Sequence, residues 1–239
     1  MVNGKALHVI FGAGQIGVPL ALELVRRGHE VRVVRRSPGG VPARSVGLPA
    51  GATLRAGDAG DPTFVTEATQ GAVAVYHCMN PNYSASEWAR ELPRWRSALL
   101  TAAARQNARV VLLDNLYLLG RPHGAMLSES SPLAPCSKKG EVRAQEWQAW
   151  LAAHHKGDVR VTCGRGSDFY GPGATQSYFG DAFMPKALGS GVALTLTRLD
   201  TPHSYHYTLD IAAGLAELGE APDTAYGRWW MLPAAPAES

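Results

Sequence analysis

Cysteine is scarce in this sequence, and the few present exclude a disulfide framework. Cys78, Cys136 and Cys163 are odd in number and lack the paired spacing of a metal site. They predict reduced thiols in a cytoplasm and no bound metal. The adjacent pair His154-His155 has no third ligand near it. Long apolar runs are also missing: no stretch approaches the ~20 residues that cross a bilayer. The N-terminus "MVNGKALHVIFGAG" lacks a charged leader region and a cleavage site, so no membrane or secretory route is expected. A formal net charge of +3 is too weak to argue for nucleic acid. Internal repeats are absent.

What is present is uneven in its charge. Residues 1–60 hold Lys5, Arg26, Arg27, Arg32, Arg35, Arg36, Arg44 and Arg55 against only Glu23, Glu30 and Asp58. Residues 200–239 hold six acids and one arginine. A positive N-terminal field suits a phosphate-bearing ligand as well as a polyanion.

Apolar runs alternate with helical patterns along most of the chain. Strands are expected at "ALHVIF", "EVRVV", "ATLRA", "AVAVYH", "ARVVLLD" and "DVRVTCG". Helices are expected over 15–27, 62–69, 86–106 (interrupted early by Pro93) and 140–155. This alternation predicts an α/β fold, a doubly wound parallel sheet of Rossmann type. Residues 1–164 form the dinucleotide-binding core of this reading. Residues 165–239, rich in Gly, Pro, Ser and aromatics, form a small substrate-side lobe on the same sheet. That lobe is expected to hold a short helix near 180–188, a strand at "VALTLT", a helix over 209–218 and a last strand at "GRWWMLP".

"FGAGQIG" places Gly12, Gly14 and Gly17 directly after a strand and at the opening of a helix, with Gln15 and Ile16 between them. In that context the glycines serve a tight turn, close approach of backbone to a pyrophosphate, and close helix–strand packing. The helix N-terminus adds unpaired N–H groups and positive potential. Gly12→Val is therefore expected to remove cofactor binding while the fold survives. The second strand ends in Arg35-Arg36-Ser37, with no acid for a ribose 2′-hydroxyl. Arginine there pairs with a 2′-phosphate, which favours NADP(H) over NAD(H); a solvated basic loop is the alternative. Asp58, in "AGDAGD", either reaches the adenine edge or simply begins the turn before Asp61 caps the next helix.

With "GAGQIG", "AGDAGD", "VYHCMNP", "LLDNLYLLG", "GRGSDFYGPG" and "HSYHYTLDIA", the sequence resembles the short-chain dehydrogenase/reductase superfamily. It looks closest to the NAD-dependent epimerase/dehydratase branch, from about Leu7 to Pro233. The elements R-x-x-x-x-Y-G-P-G and Y-x-x-D-I-A are its most specific marks. The resemblance implies a Ser or Thr after the fifth strand, and a Tyr-x-x-x-Lys on the next helix, as catalytic groups. Those positions fall here on Asn115, Lys139 and Arg143, so all three depart from the pattern. Lys139 would then stand beside the cofactor ribose, as proton donor or anion partner. The alternative is that Lys138, Lys139 and Arg143 are solvated and balanced by Glu141 and Glu146. Tyr117 either replaces the missing phenol or packs under its loop with Leu116 and Leu118.

The resemblance further implies that His77, Cys78 and Met79 pass the cofactor, and that Gly166 and Ser167 also bind it. A plain strand-end histidine is the other reading of His77. Asn82, Tyr83 and Trp88 would overhang the nicotinamide from a loop. Asp168, Tyr170, Tyr178 and His203 would line the substrate side with Phe179, Tyr205 and His206, unless this aromatic set is core. Family members continue well past the equivalent of Leu232-Pro233, which leaves an open pocket, one completed by a second subunit, or a non-catalytic one. The expected partner is a small molecule, with a homodimer through the helices flanking strands four and five. The functional expectation is an NADP(H)-dependent oxidoreductase or epimerase-like enzyme acting on a small carbonyl, imine or activated alkene. The alternative is a non-catalytic NADP(H)-binding redox sensor.

Overall fold

A computed structural model describes residues 5–37, 47–174, 177, 183–189, 192 and 202–236. Each apolar run becomes a strand: β1 (Leu7–Phe11), β2 (Glu30–Arg35), β3 (Ala52–Ala56), β4 (Ala72–His77), β5 (Arg109–Asp114) and β6 (Val161–Arg165). A short β9 (Trp229–Met231) joins them at the β6 edge. All pair in parallel, in the order β3-β2-β1-β4-β5-β6-β9. The chain builds outward from β1 in one direction, then returns to β4 and builds in the other. The point of reversal lies between β1 and β4, where the carboxyl ends of the strands leave a crevice.

The two faces of the sheet carry different helices. Helix α1 (Gly17–Arg26) and helix α6 (Thr208–Glu220) cover one face, over Ile10, Val33, Tyr76 and Val111. Helices α2 (Pro62–Ala68), α3 (Ala85–Gln106) and α4 (Lys138–His155) cover the other, over Val9, Phe11, Val75 and Val110. The alternation along β1 follows the two-residue period of a strand, with both faces buried as parallel sheets require.

Local sequence sets the helix starts. Asp61 accepts from the backbone N–H of Thr63 at 2.9 Å and of Phe64 at 3.4 Å, and Pro62 stands where no N–H is needed. Ser137 accepts from the Gly140 N–H at 3.1 Å, so α4 begins at Lys138, two residues before the expected start. Helix α3 is not interrupted: it runs through Pro93 for 22 residues. Proline lacks an N–H and so removes one intrahelical bond, but Trp88 and Leu92 before it and Trp95 after it are buried in one core. That packing holds both halves on one axis. Asn107, at φ +50°, ends the helix in the left-handed conformation common at this position.

Beyond β6 lies a ribbon that the sequence reading did not anticipate. Strands β7 (Asp168–Tyr170) and β8 (Tyr205–Tyr207) pair in parallel. Helix α5 (Met184–Leu188) lies between them in the chain, close to the expected short helix. Most of the strand expected at "VALTLT", together with Tyr178 and Phe179, lies outside the described residues. Among the described residues, no helix is long and apolar enough to cross a membrane, and no cluster of metal-ligating side chains occurs.

Candidate functional site: a cleft at the sheet reversal

A cleft of about 820 Å³ opens over the carboxyl ends of β1 and β4. The turn 12–16 after β1 forms one wall. Residues 34–37 and 57–59 close one end; residues 78–83, the first turns of α3, Asn115, Tyr117, Arg143 and residues 167–169 surround the other.

The three glycines of the turn have different reasons to be glycine. Gly12 sits at φ +118°, and an added Cβ would stand 2.6 Å from the Cys78 carbonyl oxygen. A Cβ at Gly17 would collide with the Gly12 carbonyl. Both are demanded by the fold, which corrects the expectation that Gly12→Val spares it. A Cβ at Gly14 would meet nothing within 4 Å. Nothing in the protein itself requires glycine there, and Gly14 lines the cleft. No side chain caps α1, whose first turn faces the same turn of chain. Open space over a glycine backbone, beside an uncapped helix start, fits the pyrophosphate of a dinucleotide. Gln15 and Ile16 line the cleft as well, whereas Gly17 serves packing.

At the β2 end, half-buried Arg35 and exposed Arg36 both line the cleft, with Ser37. Asp58 also lines it, but its carboxylate is engaged. Arg94 donates to both oxygens, at 2.8 and 3.1 Å, and the Gly60 N–H adds a bond of 2.9 Å. The Arg94 hydrogen bonds hold the carboxyl below the usual range. The turn reading describes Asp58 better than the adenine reading.

At the other end, β5 delivers Asp114 and Asn115. The Asn115 side-chain oxygen accepts the Tyr117 N–H at 3.0 Å, which leaves its amide NH₂ as the group able to meet a ligand. Arg143, 7% exposed, lies one helical turn from Lys139 on α4. It pairs with Asp114 at 3.1 Å, donates to the Asn80 side chain at 2.5 Å, and stacks 4.2 Å from the Trp88 ring centroid. Lys139 does not line the cleft. Its ammonium lies 3.0 Å from the Tyr83 ring centroid, a close cation–π contact. Lys139 and Arg143 thus find partners within the protein, an aromatic face for one and a carboxylate for the other. Neither is simply solvated, and neither was paired as the sequence reading proposed.

Tyr83 in turn bonds Tyr117, hydroxyl to hydroxyl, at 2.8 Å, and Tyr117 stacks on Trp88. Trp88 sits on the first turn of α3, fully buried, not on an overhanging loop. Burial, and then the bond to Tyr83, push the Tyr117 phenol well above its ordinary pKa. It keeps its proton at neutral pH and differs in this from an activated tyrosinate.

Other expected residues separate into two groups. Cys78, Met79, Asn82, Tyr83, Ser167 and Asp168 line the cleft. His77 does not: it packs edge-on against Trp95 and Trp150, and burial lowers its pKa to about 4. Gly166 is packed against Phe169 and His206. Tyr170 lies against Tyr207, and His203 reaches the cleft only through its 2.8 Å contact with Asp168. Tyr178 is outside the described residues. The sequence reading missed Asn80, Asp114 and Arg94. An acid closing an apolar strand was the available signal for Asp114; nothing local marked the other two.

No curated relative matches the chain. Among solved structures, DesIV, a dTDP-glucose 4,6-dehydratase from Streptomyces venezuelae with NAD and TYD bound, superposes with a TM-score of 0.81 at 21% identity, over 95% of this chain and 75% of its own. WbmG from Bordetella bronchiseptica, in complex with NAD and UDP, gives 0.75 at 18%, over 96% and 74%. UDP-glucose 4-epimerase from Brucella ovis, in complex with NAD, gives 0.73 at 16%, over 97% and 79%. At these identities the likeness establishes the fold. The model of the NAD dependent epimerase/dehydratase family matches residues 9–226, nearly the whole chain, and the chain belongs to that family.

Proposed function

We propose that this protein binds NADP(H) in the cleft and transfers hydride between it and a small carbonyl, imine or activated alkene. The observation that carries this reading is the open space over Gly14, which the fold does not require and a pyrophosphate would use. When bound, the cofactor supplies or accepts the hydride. In this reading the chain's own residues do the rest. The turn 12–16 and the start of α1 hold the pyrophosphate. Arg35 and Arg36 meet the 2′-phosphate, a preference that sets this chain apart from the NAD-bound structures it resembles. The Asn115 amide orients a substrate oxygen, and the Tyr117–Tyr83 hydroxyl pair donates a hydrogen bond or proton to it. Lys139, on the Tyr83 ring, acts through that pair as a positioning residue. Small polar substrates suit an end of the cleft walled by Asn82, Asn115, Arg143 and Asp168.

Cofactor preference tests the phosphate end. A charge-assisted bond to phosphate contributes about 1.5–3 kcal/mol. Replacing both arginines, Arg35→Asp with Arg36→Asp, is expected to weaken NADPH binding at least tenfold and leave NADH affinity unchanged or higher. Tryptophan quenching titrations measure both. Equal native affinity for the two cofactors would rule out the 2′-phosphate assignment.

A second reading, a non-catalytic NADP(H)-binding sensor, is favoured by one observation: α4 carries no tyrosine at its head, and Asp114 and Asn80 hold Arg143. NADPH consumption over a panel of small carbonyls and imines separates the two. Lys139→Met keeps the aliphatic stem on Tyr83 and deletes the charge. In the enzyme it is expected to lower turnover by ~10²-fold or more, with stability shifted by about 0.5 kcal/mol at most. In the sensor only cofactor affinity changes. An unchanged turnover and affinity would remove Lys139 from the site.

A further inference from the structure

Beside the cleft, and sharing Leu113, Asp114 and Arg143 with it, lies a second, much smaller cavity of about 20 Å³, lined from β4, β5, β6 and the helices α3 and α4. A single water needs ~10–15 Å³, so the cavity has room for one occupant of water size or slightly larger. Asp114, Arg143, Glu146 and Arg165 line it, beside His77 and the rings of Trp147 and Trp150. Arg165 is wholly buried and Arg143 nearly so.

The hydrogen bonding around this cavity is lopsided. Among the described residues, Nε of Arg143 and both Nε and Nη2 of Arg165 are buried donors with no acceptor. Asp114 serves both arginines, one oxygen to each, at 3.1 and 2.8 Å. Arg165 also donates to the Asn115 carbonyl at 2.6 Å. Glu146 is engaged by Arg96 at 2.9 Å. His77 offers no acceptor, because its Nδ1 takes the Met79 N–H at 3.2 Å. Two buried guanidinium groups therefore share one carboxylate, and the surplus is one positive charge with three nitrogens whose N–H groups meet no acceptor. Buried charge left without a counter-charge is costly. A water here would bring two donors of its own and no charge. We infer that the cavity binds a small monovalent anion of the halide class, held by Arg165 and Arg143. Chloride matches both the space and the charge. Because Arg143 also walls the cleft, the anion holds in place a residue that the substrate meets.

Thermal unfolding in chloride, bromide and gluconate at equal ionic strength tests this. The midpoint is expected to rise by several degrees with chloride or bromide and to level off as the site fills. Gluconate gives no such rise, and Arg165→Met abolishes the halide effect. Crystals soaked in bromide are expected to show an anomalous peak against Arg165 and Arg143. This second measurement stands if Arg165→Met fails to fold. Equal midpoints in chloride and gluconate, water-like density without anomalous signal, or a peak at crystal concentrations with no shift in solution would each overturn the inference.

Discussion

Gly14→Val is expected to leave stability within about 0.5 kcal/mol of the native protein while reducing NADPH affinity by tenfold or more. The site is open: a Cβ there meets no protein atom within 4 Å, and Gly14 does not have the positive φ of Gly12. Only a ligand lying against the backbone would feel the added branch. Gly12→Val and Gly17→Val make the contrast. Both meet backbone oxygens of the protein itself, so both are expected to lower the unfolding midpoint whether or not cofactor is present. The three substitutions together separate a turn needed by the fold from a cradle needed by a ligand. Urea denaturation with and without NADPH reads both quantities. Native-like affinity in Gly14→Val would show that the pyrophosphate does not lie over this turn.

Asp114→Asn carries a large expected cost in stability. The side chain keeps its shape and loses its charge, leaving two buried arginines uncompensated. Removing one partner of a buried pair costs about 3–5 kcal/mol, equivalent in a chain of this size to a midpoint drop on the order of 10 °C. Asp223 provides the control. It also pairs with two arginines, Arg109 at 3.4 Å and Arg160 at 3.3 Å, but its side chain is 65% exposed. Exposed pairs contribute about 0–1 kcal/mol, so Asp223→Asn is expected to change little. Similar losses in both variants would mean that the Asp114 pairs are no more than surface electrostatics. Chemical denaturation, with the slope checked for constancy, decides between them.

The strands were legible in the sequence because a parallel sheet buried on both faces turns each strand into an apolar run, as in "HVIF" and "RVVLL". The glycine turn was legible because its chemistry is local. What was hidden depends on residues distant in sequence. Lys139 meets Tyr83, and Arg143 meets Asn80, only because α4 packs beside the loop after β4. A cation at a helix start reads alone as a penalty or as a ligand contact. The aromatic face that satisfies it comes from elsewhere in the chain. The β7–β8 ribbon escaped notice for the same reason: three-residue strands carry no periodicity, and their pairing is decided by the surrounding packing. Pro93 misled in the opposite direction, since a local breaker was overruled by the buried tryptophans on either side of it.

The position of β9 has a consequence for how Arg165, the most deeply buried cation among the described residues, is shielded. Strand β9 follows α6 in the chain and pairs with β6. Its Trp229 lies 5.8 Å from the Arg165 guanidinium and helps to shut that group away from water. The carboxylate that neutralises it, Asp114, comes from β5 on the other side of β6. Two strands far apart in the chain thus divide the task between them, one excluding solvent from the charge and the other balancing it.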